Sequence, residues 1–354
     1  MNTNLSREER ENAAKLSYDN GSNIVEKAEL QYKEMLIDEV EGGSVTLIDA
    51  MGDDYAVTQA ARVSYGNDRN EIPPADDQKL IRYLFRHRHT TPFEMCELKI
   101  RVRCPMDLWR QWIRHRTASV NEYSTRYVPA IDDRQTTPEE AWRLQARNNK
   151  QGSSGLLEEW PEGYRNIAFG GAGYVIETPD KQKIPSKAGE TPGQYLSRRE
   201  REFHKQAQEL YQERLALGVA REQARKDLPL STFTEAYWKC NLHNCLHFLG
   251  LRMDSHAQLE IRAFANMIGN EIIAKLYPTV WKAFEMYRRN ALFLTELDLQ
   301  VMADLSARND DGEITLPIPE SEFPEDSWPV LMQGTRNRER DECLEKLKRI
   351  RFVD

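Results

Sequence analysis

In residues 95–104, MCELKIRVRC, apolar and charged side chains alternate without a break from Cys96 on. Cys96, Leu98, Ile100 and Val102 are apolar, while Glu97, Lys99, Arg101 and Arg103 are charged. A period of two suits a strand with one face in a core and the other in polar surroundings; wound as a helix, the same run would scatter both kinds of side chain around the axis. The chain therefore builds at least one sheet with a single buried face. Pro105 ends the run and can open a helix at its first turn, and Leu108, Trp109, Trp112 and Ile113 then follow at helical spacing.

Further strands are predicted over SVTLIDAM (44–51) and STFTEAYWKC (231–240). Helices are predicted over YAVTQAARVSY (55–65), DQKLIRYLFRHRH (77–89), NLHNCLHFLGLR (241–252) and SHAQLEIRAFANMIGNEIIAKLY (255–277). A long helix, TPGQYLSRREREFHKQAQELYQERLAL, stops at Gly218. Residues 1–43 read as a polar N-terminal arm with one weakly helical stretch, VEKAELQYKEML, and 44–305 as the main domain. Within it, 131–192 turns acidic and rich in breakers, including NNKQGSSG and FGGAG, and predicts an excursion with little regular structure. Residues 306–354 read as an acidic, Pro-rich linker and a charged tail.

A net charge of −8 argues against a protein that coats nucleic acid or anionic membrane. No apolar run approaches the ~18 residues a membrane span needs, and the charged N-terminus predicts no secretory leader. Five cysteines without paired spacing read as free thiols in a reducing compartment. These features predict a soluble, cytoplasmic-type protein.

Within this acidic chain, RHRTASVNEYSTRY (114–127) holds three arginines and almost no aliphatic residue. A solvated basic loop is the plain reading, but it does not explain the company. Arginine is a planar fork that matches phosphate or an amide edge. Ser119, Asn121 and Ser124 add neutral donors, Glu122 an acceptor, and Tyr123 and Tyr127 flat surfaces. The sum points to a phosphorylated heterocycle.

Two other stretches stay open on their residues alone. RHRHTTPFE (86–94) is either a cationic helix end or a ligand-contacting turn at Thr91–Pro92. In NLHNCLHFLGLRMDSHAQ (241–258), His243 and His247 have the i, i+4 spacing of a metal pair, with His256 as a third candidate. Alternatively His243, His247, Arg252 and His256 line a polar pocket opposite a stripe of Leu242, Cys245, Leu246 and Leu249. No cysteine has the electropositive surroundings of a nucleophile. Gly-x-Ser-x-Gly, P-loop and Gly-x-Gly-x-x-Gly signatures are all missing.

Arg114-His115-Arg116, seven residues and then Ser124 resembles the signature of the flavin-dependent thymidylate synthases. AARVSY (60–65), HTTPFE (89–94) and LRMDSHAQ (251–258) agree in order and spacing, and the similarity runs from about Val45 to Arg289. The resemblance implies an α+β fold, an antiparallel sheet flanked by helices, assembled as a homotetramer with FAD at subunit interfaces. It implies reductive methylation of dUMP to dTMP, with methylenetetrahydrofolate as one-carbon donor and NADPH as reductant of the flavin. FAD would be held by Ser64, His89, Thr91, Arg114, His115, Arg116, Glu122, Asn241, His243 and His247. The dUMP site would use Gln111, Trp112, Ile113 and Arg114, then Glu122, Tyr123, Ser124, Thr125 and Arg126, completed by Arg225, Arg252 and His256. Ser124 and Arg126 would serve the phosphate, and Arg252 would be catalytic. No metal is implied. The sequence departs from many relatives at Met95, where they carry histidine, and at His243 and His247, which vary to Arg or Asn. The competing reading is a metal-dependent hydrolase built on His243, His247 and His256; a nucleic-acid-binding module using the arginine run is opposed by the charge.

Overall fold

The computed structural model describes residues 24–66, 74–146, 152–169, 173–306, 328–329, 332–333 and 337–352. Contacts divide the chain into two units, Met1–Arg289 and Asn290–Asp354.

In the first unit, helix α1 (Ile24–Leu30) leads into β1 (Glu34–Leu36) and β2 (Ser44–Met51). Helices α2 (Asp54–Arg62), α3 (Pro74–Arg86) and the single turn α4 (Thr91–Glu94) precede β3 (Glu97–Pro105), α5 (Met106–Trp112) and β4 (Ser119–Glu122). Five short strands follow: β5 (Arg143–Gln145), β6 (Ser153–Leu156), β7 (Arg165–Ala168), β8 (Tyr174–Glu177) and β9 (Lys183–Ser186). Helix α6 (Pro192–Ala216) and the turn α7 (Arg221–Ala224) lead to β10 (Phe233–Asn241), α8 (Leu242–Arg252) and α9 (Leu259–Met267). The last continues through the π-helical stretch Ile268–Ile273, and α10 (Pro278–Phe284) closes the series.

The main sheet has the order β1-β2-β3-β10-β4, and every pairing in it is antiparallel. This is the α+β architecture expected. The alternation read in 95–104 sets which face is covered: Leu98, Ile100, Val102 and Cys104 are buried, and the charged residues between them are half-buried. Phe233, Ala236, Trp238 and Cys240 of β10 share the core, with Ile100 opposite Trp238 in the register.

Four aromatic side chains join the sheet to its helices. The Trp112 ring lies 4.6 Å from Phe248 of α8, 5.8 Å from Trp238 and 6.0 Å from Phe264 of α9, centroid to centroid. Helix α8 starts where the sheet dictates: Asn241 caps it by accepting from the Asn244 backbone N–H, and Leu242 N–H donates to the Cys96 carbonyl. Leu242, Cys245, Leu246, Phe248 and Leu249 are buried, so its remaining face carries the polar residues. A carboxylate from another element caps α10: Asp54 of α2 accepts from the backbone N–H groups of Thr279 and Val280 at 2.7 and 3.0 Å.

Three regions differ from the expectation. Leu30, Met35, Ile37 and Val40 of the supposed arm are buried in the main core, since β1 forms the sheet edge and α1 packs beside β2; residues 1–23 lie outside the described ones. The excursion holds regular structure, a β5–β6 hairpin and a three-stranded β7–β8–β9 sheet. Its strands are three or four residues long and β6 is exposed throughout, so backbone hydrogen bonding forms them without an alternating apolar signal. It is tied to α6 by Trp142 to Ser197 at 2.9 Å and by the Glu190–Arg198 pair at 2.7 Å. Residues 148–151 of NNKQGSSG and 170–172 of FGGAG lie outside the described residues, while the rest of NNKQGSSG enters β6.

In the second unit, α11 (Glu296–Ser306) and α12 (Arg338–Arg349) bring Val301, Trp328, Met332, Cys343, Leu347 and Phe352 into a small core. Hydropathy alone groups the helix Glu296–Ser306 with the main domain and leaves Cys343 in a tail; its core partners lie too far along the chain for local periodicity to find them. The greater part of the Pro-rich linker lies outside the described residues. Among the described residues, no helix is long and apolar enough to cross a membrane.

Candidate active site

Helix α5 ends at Trp112, and the turn after it carries Arg114, His115 and Arg116 past the outer face of α8. Together they enclose a cleft of about 320 Å³ lined by Arg114, His115, Arg116, Thr117, Trp238, Asn244, His247, Leu251 and Arg252. Three arginines and two histidines line it, and no carboxylate does. Trp238 adds an indole N–H with no partner among the described residues.

Arg252 sits on the last turn of α8, half-buried, and meets no carboxylate among the described residues. Burial of a charge without a counter-ion disfavours the charged form, and it pulls the Arg252 pKa down. Its Nε–H donates to His115 Nε2 at 3.1 Å and its Nη2 to the Gln111 carbonyl at 3.4 Å. Burial, then the Arg252 charge, then His247 push His115 down to about 4. The imidazole is therefore neutral across physiological pH. His247 stands 6.1 Å from it, ring to ring, and Phe248 4.9 Å.

The second expected half of the site lies on β4 and the turn beyond. Glu122 accepts from the Thr234 hydroxyl at 2.9 Å. Thr125 Oγ1 accepts from Arg225 at 2.6 Å, which joins two predicted residues a hundred positions apart. Ser124 shapes the turn, its carbonyl accepting from Tyr127 and Val128 N–H. Tyr123 donates its hydroxyl to the Pro129 carbonyl at 2.7 Å. Arg126 is exposed, with its guanidinium 5.6 Å from the Tyr127 ring centroid.

Other predicted residues are spread around these. Ser64 is exposed in the turn after α2, where Arg62 is buried in an ion pair with Asp77 of α3. His89 follows a helix end in which Arg88 takes φ +56° and His89 N–H returns to the Leu84 carbonyl at 2.9 Å. Its ring stacks on Tyr83 at 5.9 Å. Thr91 opens α4, exposed. Ile113 is exposed as well.

Three expectations need correcting. The Trp112 side chain is wholly buried, so its ring serves packing and only its backbone could reach a nucleotide. The Asn241 side-chain oxygen is already used, accepting from both the backbone and the amide of Asn244. His256 is 72% exposed and donates to Asp254 through its backbone and its ring. It does not join the cleft lining. With His256 turned away, His243 and His247 lack a third ligand, and no group of three metal-binding side chains occurs among the described residues.

Thr117, Trp238, Asn244 and Leu251 line the cleft without having been singled out. Asn244 had a usable signal: asparagine at the cap and again three residues on is the spacing of a helix start. Trp238 gave none, because alternation marks it only as core.

The profile of the thymidylate synthase complementing protein family matches residues 46–279. A Wolbachia pipientis wMel chain described as a flavin-dependent thymidylate synthase is 39% identical over 295 residues, 83% of this chain and 89% of its own. One of the same description from Thermus thermophilus is 40% identical over 266 residues, 75% of this chain and 84% of its own. Among solved structures, the UMP/dUMP methylase PolB from Streptomyces cacaoi, bound with 5-Br dUMP, superposes with a TM-score of 0.54 at 33% identity, over 70% of this chain and 96% of that one.

Proposed function

The chain belongs to the flavin-dependent thymidylate synthase family, and from that premise we propose how it methylates dUMP to dTMP: methylenetetrahydrofolate gives the one-carbon unit, and FAD reduced by NADPH gives the hydride. The observation that carries the reading is Arg252, a half-buried cation facing a cleft with no carboxylate in its lining. Such a site awaits an anion or a polarisable ring.

Carbon 5 of uracil is a poor nucleophile. Covalent attack by cysteine could activate it, but Cys96, Cys104, Cys240, Cys245 and Cys343 are all buried, and burial pushes the Cys96 thiol up to about 12. A cation against the ring offers another route: it favours loss of the proton from nitrogen 3, which sends electron density toward carbon 5. Arg252 has that task. Ser124 and Arg126 bind the phosphate, and Arg225 holds their turn through Thr125. Gln111, Ile113, Arg114, Glu122 and Tyr123 complete the nucleotide site.

The donor set of the cleft also suits a flavin dinucleotide, with arginines for the pyrophosphate and the neutral His115 imidazole and Asn244 for the heterocycle. Arg114, His115, Arg116, Glu122, Asn241, His243 and His247 hold it, joined by Ser64, His89 and Thr91, and Asn241 does so through groups other than its capping oxygen. When bound and reduced, the flavin supplies the hydride. Because Ser64, His89, Thr91 and Arg126 are exposed in a single chain, the reading includes a homotetramer with FAD at subunit interfaces, working in the cytoplasm. In the test, FAD-loaded protein given NADPH and methylenetetrahydrofolate releases tritium from carbon-5-labelled dUMP; no release with all components present contradicts the reading.

A further inference from the structure

We propose that His115 is a positioning residue for Arg252: its neutral imidazole accepts the Arg252 Nε–H and so sets the plane in which the guanidinium faces the cleft. This rests on the reading of Arg252 as the cation that meets the pyrimidine.

A guanidinium has five N–H groups in one plane. Here one edge is in use, with Nε–H on His115 Nε2 and Nη2 on the Gln111 carbonyl. Both acceptors come from the end of α5 and the turn after it, a stretch anchored by the buried Trp112 ring. Held along that edge, Arg252 keeps its Nη1 end for a ligand. Neither acceptor is a carboxylate, so the charge stays unneutralised while its direction is fixed.

The acceptor role dictates the state of His115. An imidazolium has no lone pair to offer, so Nε2 must be bare and the proton must sit on Nδ1. The surroundings favour that form. Arg252 and His247 face the ring from α8, Arg114 and Arg116 flank it on its own turn, and Phe248 meets it edge to face at 4.9 Å. Protonation would place a second cation against the first in a partly desolvated wall. The ring cannot swing aside without losing its contact with Phe248.

Two measurements test this. In ¹⁵N-histidine NMR of the wild-type protein without ligands, His115 is expected as the Nδ1–H tautomer, neutral at pH 5. In Arg252→Met its titration should move upward, toward the ordinary value of 6.5. An Nε2–H tautomer, or a titration indifferent to Arg252, overturns the proposal whether or not the protein makes dTMP. In turnover assays normalised to bound flavin, His115→Leu should lower kcat by ~10–100-fold, the usual scale for a group that orients another, with KM for dUMP within about twofold of wild type. His115→Gln, whose side-chain carbonyl can accept the same N–H, should recover most of that loss. Equal losses in Leu and Gln, or a loss that tracks departing flavin, overturn it by assigning His115 to packing or to the cofactor alone.

Discussion

Arg252 and Arg126 are assigned to one ligand, yet the fold treats them in opposite ways. Arg252 is half-buried on a helix whose other face is packed into the core, and two hydrogen bonds fix its plane. Arg126 is exposed on a turn beyond an edge strand, with a tyrosine ring beside it. On the proposed assignment, the difference suits the two tasks. Shifting electron density within a ring needs a cation that water does not screen and whose direction is set. Gripping a phosphate needs charge and reach, and phosphate accepts donors from many directions. One wall is built on packed elements, while the other is an exposed turn.

Substitutions can break or sharpen that contrast. The largest effect is expected for Arg252→Ala: turnover should fall by on the order of 10⁴-fold, about 5.4 kcal/mol of barrier, with FAD still bound by its absorption spectrum. Unchanged turnover removes Arg252 from the chemistry. Trp112→Ala tests whether the packed wall depends on the core beneath it. Removing a fully buried tryptophan should cost ~3–5 kcal/mol, read by urea denaturation. On the open wall, Arg126→Ala should weaken dUMP binding by ~2 kcal/mol, the scale of a charged hydrogen bond, in calorimetric titration, without lowering thermal stability. Thr125→Val, which removes the hydroxyl that accepts from Arg225, should cost about 1 kcal/mol of dUMP affinity.

The pH dependence of stability offers the mildest check. His115 stays neutral in the folded chain to about 4, whereas in the unfolded chain it takes up a proton below 6.5. Its contribution is therefore full above 6.5 and declines as the pH falls toward 4. His115→Gln should flatten that part of the stability profile measured by thermal melts at successive pH values.

The sequence carried the packed wall far better than the open one. Strict alternation marks β3, and helical spacing of Leu242, Cys245, Leu246 and Leu249 marks the buried face of α8, so the residues opposite that face were legible as pocket candidates. Periodicity is silent about partners across the chain. Nothing local links Arg225 to Thr125, Thr234 to Glu122, or Arg252 to His115, since those contacts depend on where antiparallel strands and their helices meet. Helical spacing with Leu108 and Trp109 marks Trp112 as core, and only the resemblance set it in the nucleotide site. The excursion left no pattern because its strands are only three or four residues long.

A crystal structure of the assembled protein with FAD and dUMP tests most directly whether the two walls serve one ligand. Arg126 should lie within hydrogen-bond distance of the phosphate and Arg252 against the nitrogen-3 edge of the uracil, with His115 still bonded to its Nε. A nucleotide bound elsewhere, with Arg252 and Arg126 both facing solvent, would contradict it.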